Sequence, residues 1–101
     1  MTRVAAFVPD LMDRSRFTAP VEWVSEVEHL AAIDADLLIV DLSRPGVLEA
    51  LSALTTTIPV VGFAPHVDDQ LFAQAADRGI EALSRSVFFR RLGALLEQDV
   101  E

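Results

Sequence analysis

The 101-residue chain contains no cysteine, no lysine and no tyrosine. Without cysteine it has no disulfide framework, no thiolate nucleophile and no thiolate metal ligand. Without lysine, any mechanism that needs a lysine ammonium is excluded. The eight basic residues are all arginine, at positions 3, 14, 16, 44, 78, 85, 90 and 91. Positive charge is scarce against 16 acidic residues, and the formal net charge is −8. A polyanion is repelled on average by such a chain, so no nucleic-acid partner is expected. No apolar run approaches the ~18 residues that a membrane span needs. The N-terminal MTRVAAFVPD has one basic residue and turns acidic at Asp10, which makes a poor signal peptide. The expectation is a cytoplasmic protein with no membrane partner.

The apolar share of 51% suffices for one modest core, and the length suits a single domain covering residues 1–101. Asp36 to Gly46, DLLIVDLSRPG, anchors the reading. Leu37 to Val40 is an uninterrupted apolar run of the kind found in strands buried on both faces. It ends at Asp41, and Arg44-Pro45-Gly46 reads as a turn. Val4 to Val8, closed by Pro9, predicts a first strand. Asp10 caps a helix through Leu11, Met12 and Phe17, with Asp13 in its first turn. Val21 to Ser25 alternates like a half-buried edge strand, although a helix from Val21 to Ile33 also fits. Glu26 to Ile33 reads as a short helix and Val47 to Leu54 as another. Ile58 to Phe63 is a further buried strand. Asp68 and Asp69 open a helix that ends at a left-handed cap on Gly79. Ile80 to Leu83 makes a fifth strand, and Ser86 caps a last helix from Val87 to about Gln98. Five repeats of strand then helix argue for a three-layer α/β domain on a five-stranded parallel sheet.

In a parallel sheet the residues that follow each strand meet at one edge, where open α/β sheets bind ligands. These residues are Asp10, Asp41, Ala64 to His66, and Ser84 to Ser86. Two nearby carboxylates suit a hard cation such as Mg²⁺, which can hold an incoming phosphoryl group. Alternatively, Asp41 caps its turn or pairs with Arg85, and Asp10 caps its helix. His66 reads as a proton shuttle, a pH sensor or a locally bonded loop histidine. His66 and His29 lack metal-ligand spacing. Ser15 and Ser86 lack the Gly-x-Ser-x-Gly elbow of a hydrolase. Arginines 14, 16, 44 and 85 suit an anion, or ion pairs with the abundant acids. Phe88 and Phe89 diverge by about 100° on a helix, so one of them is a candidate for a partner or dimer face. The alternative is a wide core face.

With these residues in place, the chain resembles the receiver domain of bacterial response regulators over nearly its whole length. The likeness lies in Asp36 to Gly46, in Ile58-Pro59-Val60-Val61, and in Ala75-Ala76-Asp77-Arg78-Gly79. It implies a flavodoxin-like (βα)5 fold, a phosphoacceptor at Asp41, Mg²⁺ at Asp10 and Asp41, and a place in a phosphorelay. It also implies a protein partner, either a histidine kinase or a regulatory target, and homodimerisation through the last helix. The departures are specific. Pro9 takes the place of the first of the family's two acids, and Ala64 that of its Thr or Ser. Arg85, with a one-residue gap, or Ser86 without it, stands where the family has Lys. Ala82 and Leu83 leave strand five without its aromatic residue. Losing a hydroxyl bond to a charged phosphoryl group costs roughly 1.5–3 kcal/mol. Arg85 restores a cation, but in planar form. The expectation is an atypical or pseudo-receiver: a stand-alone, non-enzymatic signalling module with impaired phosphorylation. The alternative is a small-molecule or anion-binding domain that uses Asp10, Asp41, His66, Arg85 and Ser86 at the same edge.

Overall fold

Period-2 alternation along three apolar strands divides the core into two halves. In the computed structural model, which describes residues 3–54, 57–65 and 69–96, the strands are β1 (Val4–Phe7), β2 (Glu22–Trp23), β3 (Leu37–Asp41), β4 (Val60–Ala64) and β5 (Glu81–Ser84). All pairings are parallel and the order is β2-β1-β3-β4-β5. Ala5, Phe7, Leu38, Val40 and Val60 face one side. There they pack against Leu30 of a 3₁₀ helix (Val27–Ala32), Val47 and Leu51 of α2 (Val47–Ser52), and Ala75 of α3 (Asp69–Asp77). Val4, Ala6, Leu37, Ile39, Val61 and Phe63 face the other side, against Phe88, Leu92 and Leu95 of α4 (Arg85–Leu96). Phe17, just after α1 (Leu11–Arg14), joins this second half. The fold is a three-layer, flavodoxin-like α/β arrangement, as the alternation of strands and helices predicts. Among the described residues no helix is long and apolar enough to cross a membrane.

The departures from the predicted elements are local. The helix after β1 has only four residues, and the chain turns at Ser15 and Arg16 before Phe17 packs. The edge strand exists but pairs with β1 only at Glu22 and Trp23. A continuous helix from Val21 to Ile33 does not form. Val24 stays extended and donates its N–H to the Ala6 carbonyl at 2.8 Å. The segment after it is 3₁₀ rather than α, with no side-chain cap at Glu26. Gly46, at φ +82, starts α2 from the left-handed region, and Gly79, at φ +76, follows α3. The last helix starts at Arg85, directly after β5, rather than at Val87. The helical end assigned to Gln98 and the opening at Asp68 lie outside the described residues.

Gly62 carries a requirement that alternation alone does not reveal. It sits in β4 on the same face as Val60, and the Leu42 side chain lies directly over it. A Cβ on Gly62 would come 2.5 Å from Leu42 Cγ. Only a residue without a side chain lets Leu42 close down on the sheet at that point.

Candidate functional site

Asp41 ends β3 on the face shared by Leu37 and Ile39 and is 5% exposed. Burial of a carboxylate is costly unless its oxygens are bonded, and both are. Oδ1 accepts from the Ser43 backbone N–H at 3.0 Å and from the Ser43 hydroxyl at 2.6 Å. Oδ2 accepts from Arg44 Nε at 3.3 Å. Asp41 therefore holds the turn that leads to Gly46, and its ion-pair partner is Arg44.

Asp10 is exposed and caps α1, with Oδ1 accepting from the N–H groups of Met12 (2.8 Å) and Asp13 (3.3 Å). That cap fixes the first turn and directs Asp13 inward, where it is 4% exposed. Asp13 accepts a hydrogen bond and ion pair from the Arg85 guanidinium, reaching across the crevice from the start of α4. This bond is the main reason Arg85 holds its proton above the usual arginine range; burial opposes it, and the charges of Asp13, Asp10 and Asp41 add to it. A raised value means that the charge, and any stability it contributes, is present at every pH below the ordinary arginine value and is lost only in strong alkali. The guanidinium also lies 5.0 Å from the centre of the Phe89 ring.

The structure thus gathers Asp10, Asp41 and Arg85 at the carboxyl edge of β1, β3 and β5, and adds Asp13, which sequence reasoning gave only a helix-charge role. No sequence signal marked it, because its burial follows from α1 ending at Arg14. Ser86 is exposed, and its hydroxyl lies 3.5 Å from that of Ser84. The capping role assigned to Ser86 belongs instead to Ser84, whose Oγ accepts from the Val87 N–H at 3.4 Å. The cause is the earlier helix start, which puts Ser86 inside the first turn. His66 lies outside the described residues.

The remaining arginines at this end do not form an anion cradle. Arg14 donates to the Val8 carbonyl at 2.6 Å and covers Trp23, while Arg16 covers Phe89 at 4.2 Å. Phe88 is wholly buried and stacks on Phe63 with centroids 4.5 Å apart. Phe89 is half-buried, edge-on to Phe17, Phe63 and Phe88. The packing therefore uses both rings in the wide core face of α4.

The donor set suits a divalent cation poorly. Hard cations need several free carboxylate or carbonyl oxygens. Here both Asp41 oxygens, the capping oxygen of Asp10 and one Asp13 oxygen already accept bonds. Among the described residues no group of three or more His, Cys, Asp or Glu side chains could hold a metal. Arg85 instead supplies positive charge to this edge. A scan against protein-family models finds no match for the chain, and a search of curated proteins finds none either.

Proposed function

We propose that the chain is a receiver-like regulatory module that acts by binding a protein partner, with phosphotransfer to Asp41 impaired. The observation that carries this reading is the ion pair between Arg85 and buried Asp13 beside an Asp41 whose two oxygens are engaged. The order of the sheet and an acid at the end of its central strand support the receiver likeness. The engaged oxygens support the loss of transfer: attack on a phosphodonor requires one Asp41 oxygen to leave its hydrogen bonds. Ala64 offers no hydroxyl to the phosphoryl group, and Arg85 must abandon Asp13 to reach it. Any weak Mg²⁺ binding falls to Asp10 and Asp41. The partner is a kinase or regulatory target that reads a fixed surface rather than a phosphorylation state, and self-association through α4 would use the half-buried Phe89 rather than Phe88.

Restoration tests the reading. The parent and a Pro9→Asp, Ala64→Thr, Arg85→Lys triple variant are incubated with Mg²⁺ and a small acyl phosphate, and intact mass is measured. The parent is expected to gain little or no phosphate. The triple variant is expected to gain one, lost again on adding Asp41→Asn. A folded triple variant that stays inert would remove the receiver reading. Full phosphorylation of the parent at Asp41 would remove the impairment.

A further inference from the structure

A cavity of about 420 Å³ opens beside the Asp41 turn, on the opposite side of β3 from Arg85. It lies between the carboxyl ends of β3 and β4 and the first turns of α3. Its apolar floor is Leu42, Ala64 and Leu71, and its polar wall is Ser43, Gln70 and Gln74. The volume lies within the range of small-molecule sites, and a mostly apolar floor with a few polar groups is their usual make-up. The cavity opens at the carboxyl end of the sheet, the end at which open parallel sheets bind ligands, one strand along from the β1/β3 switch point.

We propose that this cavity binds a small, uncharged, planar molecule carrying a paired hydrogen-bond donor and acceptor, such as a primary carboxamide or a cyclic imide. Three observations carry the choice of chemistry. Among the described residues no charged side chain lines the cavity, and the nearest buried charge, Asp41, is neutralised by Arg44. An ionic ligand would therefore lose its hydration without gaining a counter-charge. Gln70 and Gln74 stand four residues apart on α3, which puts both amides on one helical face. An amide both donates and accepts, so the pair matches a ligand group that does the same. The Ser43 hydroxyl gives its proton to Asp41 Oδ1, so it meets a ligand as an acceptor of the ligand's N–H.

The floor explains why the space persists. Leu42 is drawn down over Gly62, where a Cβ would meet it at 2.5 Å, and Ala64 is too short to refill the gap. Small residues at these two alternate positions of β4 keep the strand ends low beneath α3. The site uses neither Asp10 nor Arg85, so the inference stands apart from the reading of the phosphoryl crevice.

The test titrates the full chain with benzamide, nicotinamide and uracil, with benzoate as the charged counterpart of benzamide. Binding is followed by two-dimensional NMR of backbone and glutamine side-chain amides. Saturable shifts are expected at Ser43, Ala64 and the Gln70 and Gln74 side chains for at least one neutral probe. Benzoate is expected to bind at least tenfold more weakly than benzamide. Gln74→Leu, an exposed substitution that preserves helix propensity, should weaken binding at least tenfold while the remaining spectrum stays in place. No saturable shift with any neutral probe would overturn the proposal, as would equal binding of benzoate and benzamide. Binding unchanged in both Gln74→Leu and Gln70→Leu would also overturn it.

Discussion

Asp13 and Asp41 are the buried charged residues among those described, and each is matched to an arginine of its own. The pairings differ in kind. Arg44 is three residues from Asp41 and closes a local turn, whereas Arg85 reaches Asp13 across 72 positions of sequence and ties α4 to α1. Replacing Arg85 by Met leaves a buried carboxylate without its cation. Because Arg85 is more than a third exposed, the cost is expected at about 1–3 kcal/mol rather than that of a fully buried pair. Urea unfolding measures it. In a double-mutant cycle, Asp13→Asn with Arg85→Met should cost less than the two single changes together, because the second change removes the stranded charge. Strict additivity would show that the two side chains do not interact. A second expectation concerns Gly62→Ala. The added methyl meets Leu42 in a packed core, so a loss of about 1–3 kcal/mol is expected. Leu42→Ala in the same chain should return part of that loss. A neutral Gly62→Ala would mean that Leu42 moves freely.

At the scale of elements, what could be read in advance depended on how many residues each element buries. β1, β3 and β4 are apolar runs whose alternate residues enter separate half-cores, and their pattern is visible in one dimension. β2 makes two register pairs with β1 and both of its residues are exposed. Its extended state depends on the neighbouring strand rather than on its own composition, so a helix through the same residues looked equally good. The 3₁₀ form of Val27–Ala32 was hidden for the same reason: one buried leucine does not distinguish helical types. Asp41 and Arg85 were legible as site residues because they follow strands, and a parallel sheet collects such positions. Asp13 was not, because its role depends on how far α1 runs, and a four-residue helix leaves little periodic signal. The doublet Phe88-Phe89 suggested an outward ring, but Phe17 arrives from the α1 end and covers the second one. Phe88→Ala removes the ring stacked on Phe63 and should cost about 3–5 kcal/mol, with a clearly smaller loss for Phe89→Ala. Equal losses in thermal or urea unfolding would contradict the unequal burial of the two rings.

For the whole molecule, the scarcity of positive charge is the informative property. A chain of net charge −8 would present a strongly negative edge to any cation if its carboxylates were free. Instead two of its eight arginines sit at the carboxyl edge of the sheet, on the two acids that are buried there. Arg85 adds its charge within the influence of Asp10, Asp13 and Asp41 together, where a receiver would hold a metal ion. In the function proposed above, Arg85 stands in for that cation, and the chain would be a fixed binding module in place of a phosphorylated switch. The most direct test titrates the parent with Mn²⁺ and follows paramagnetic broadening of the backbone amides. If Arg85 fills the place of the cation, no saturable broadening centred on Asp10, Asp13 and Asp41 is expected in the parent, and it is expected to appear in Arg85→Ala. Saturable broadening at those three residues in the parent, at the same Mn²⁺ concentrations as in the variant, would contradict it.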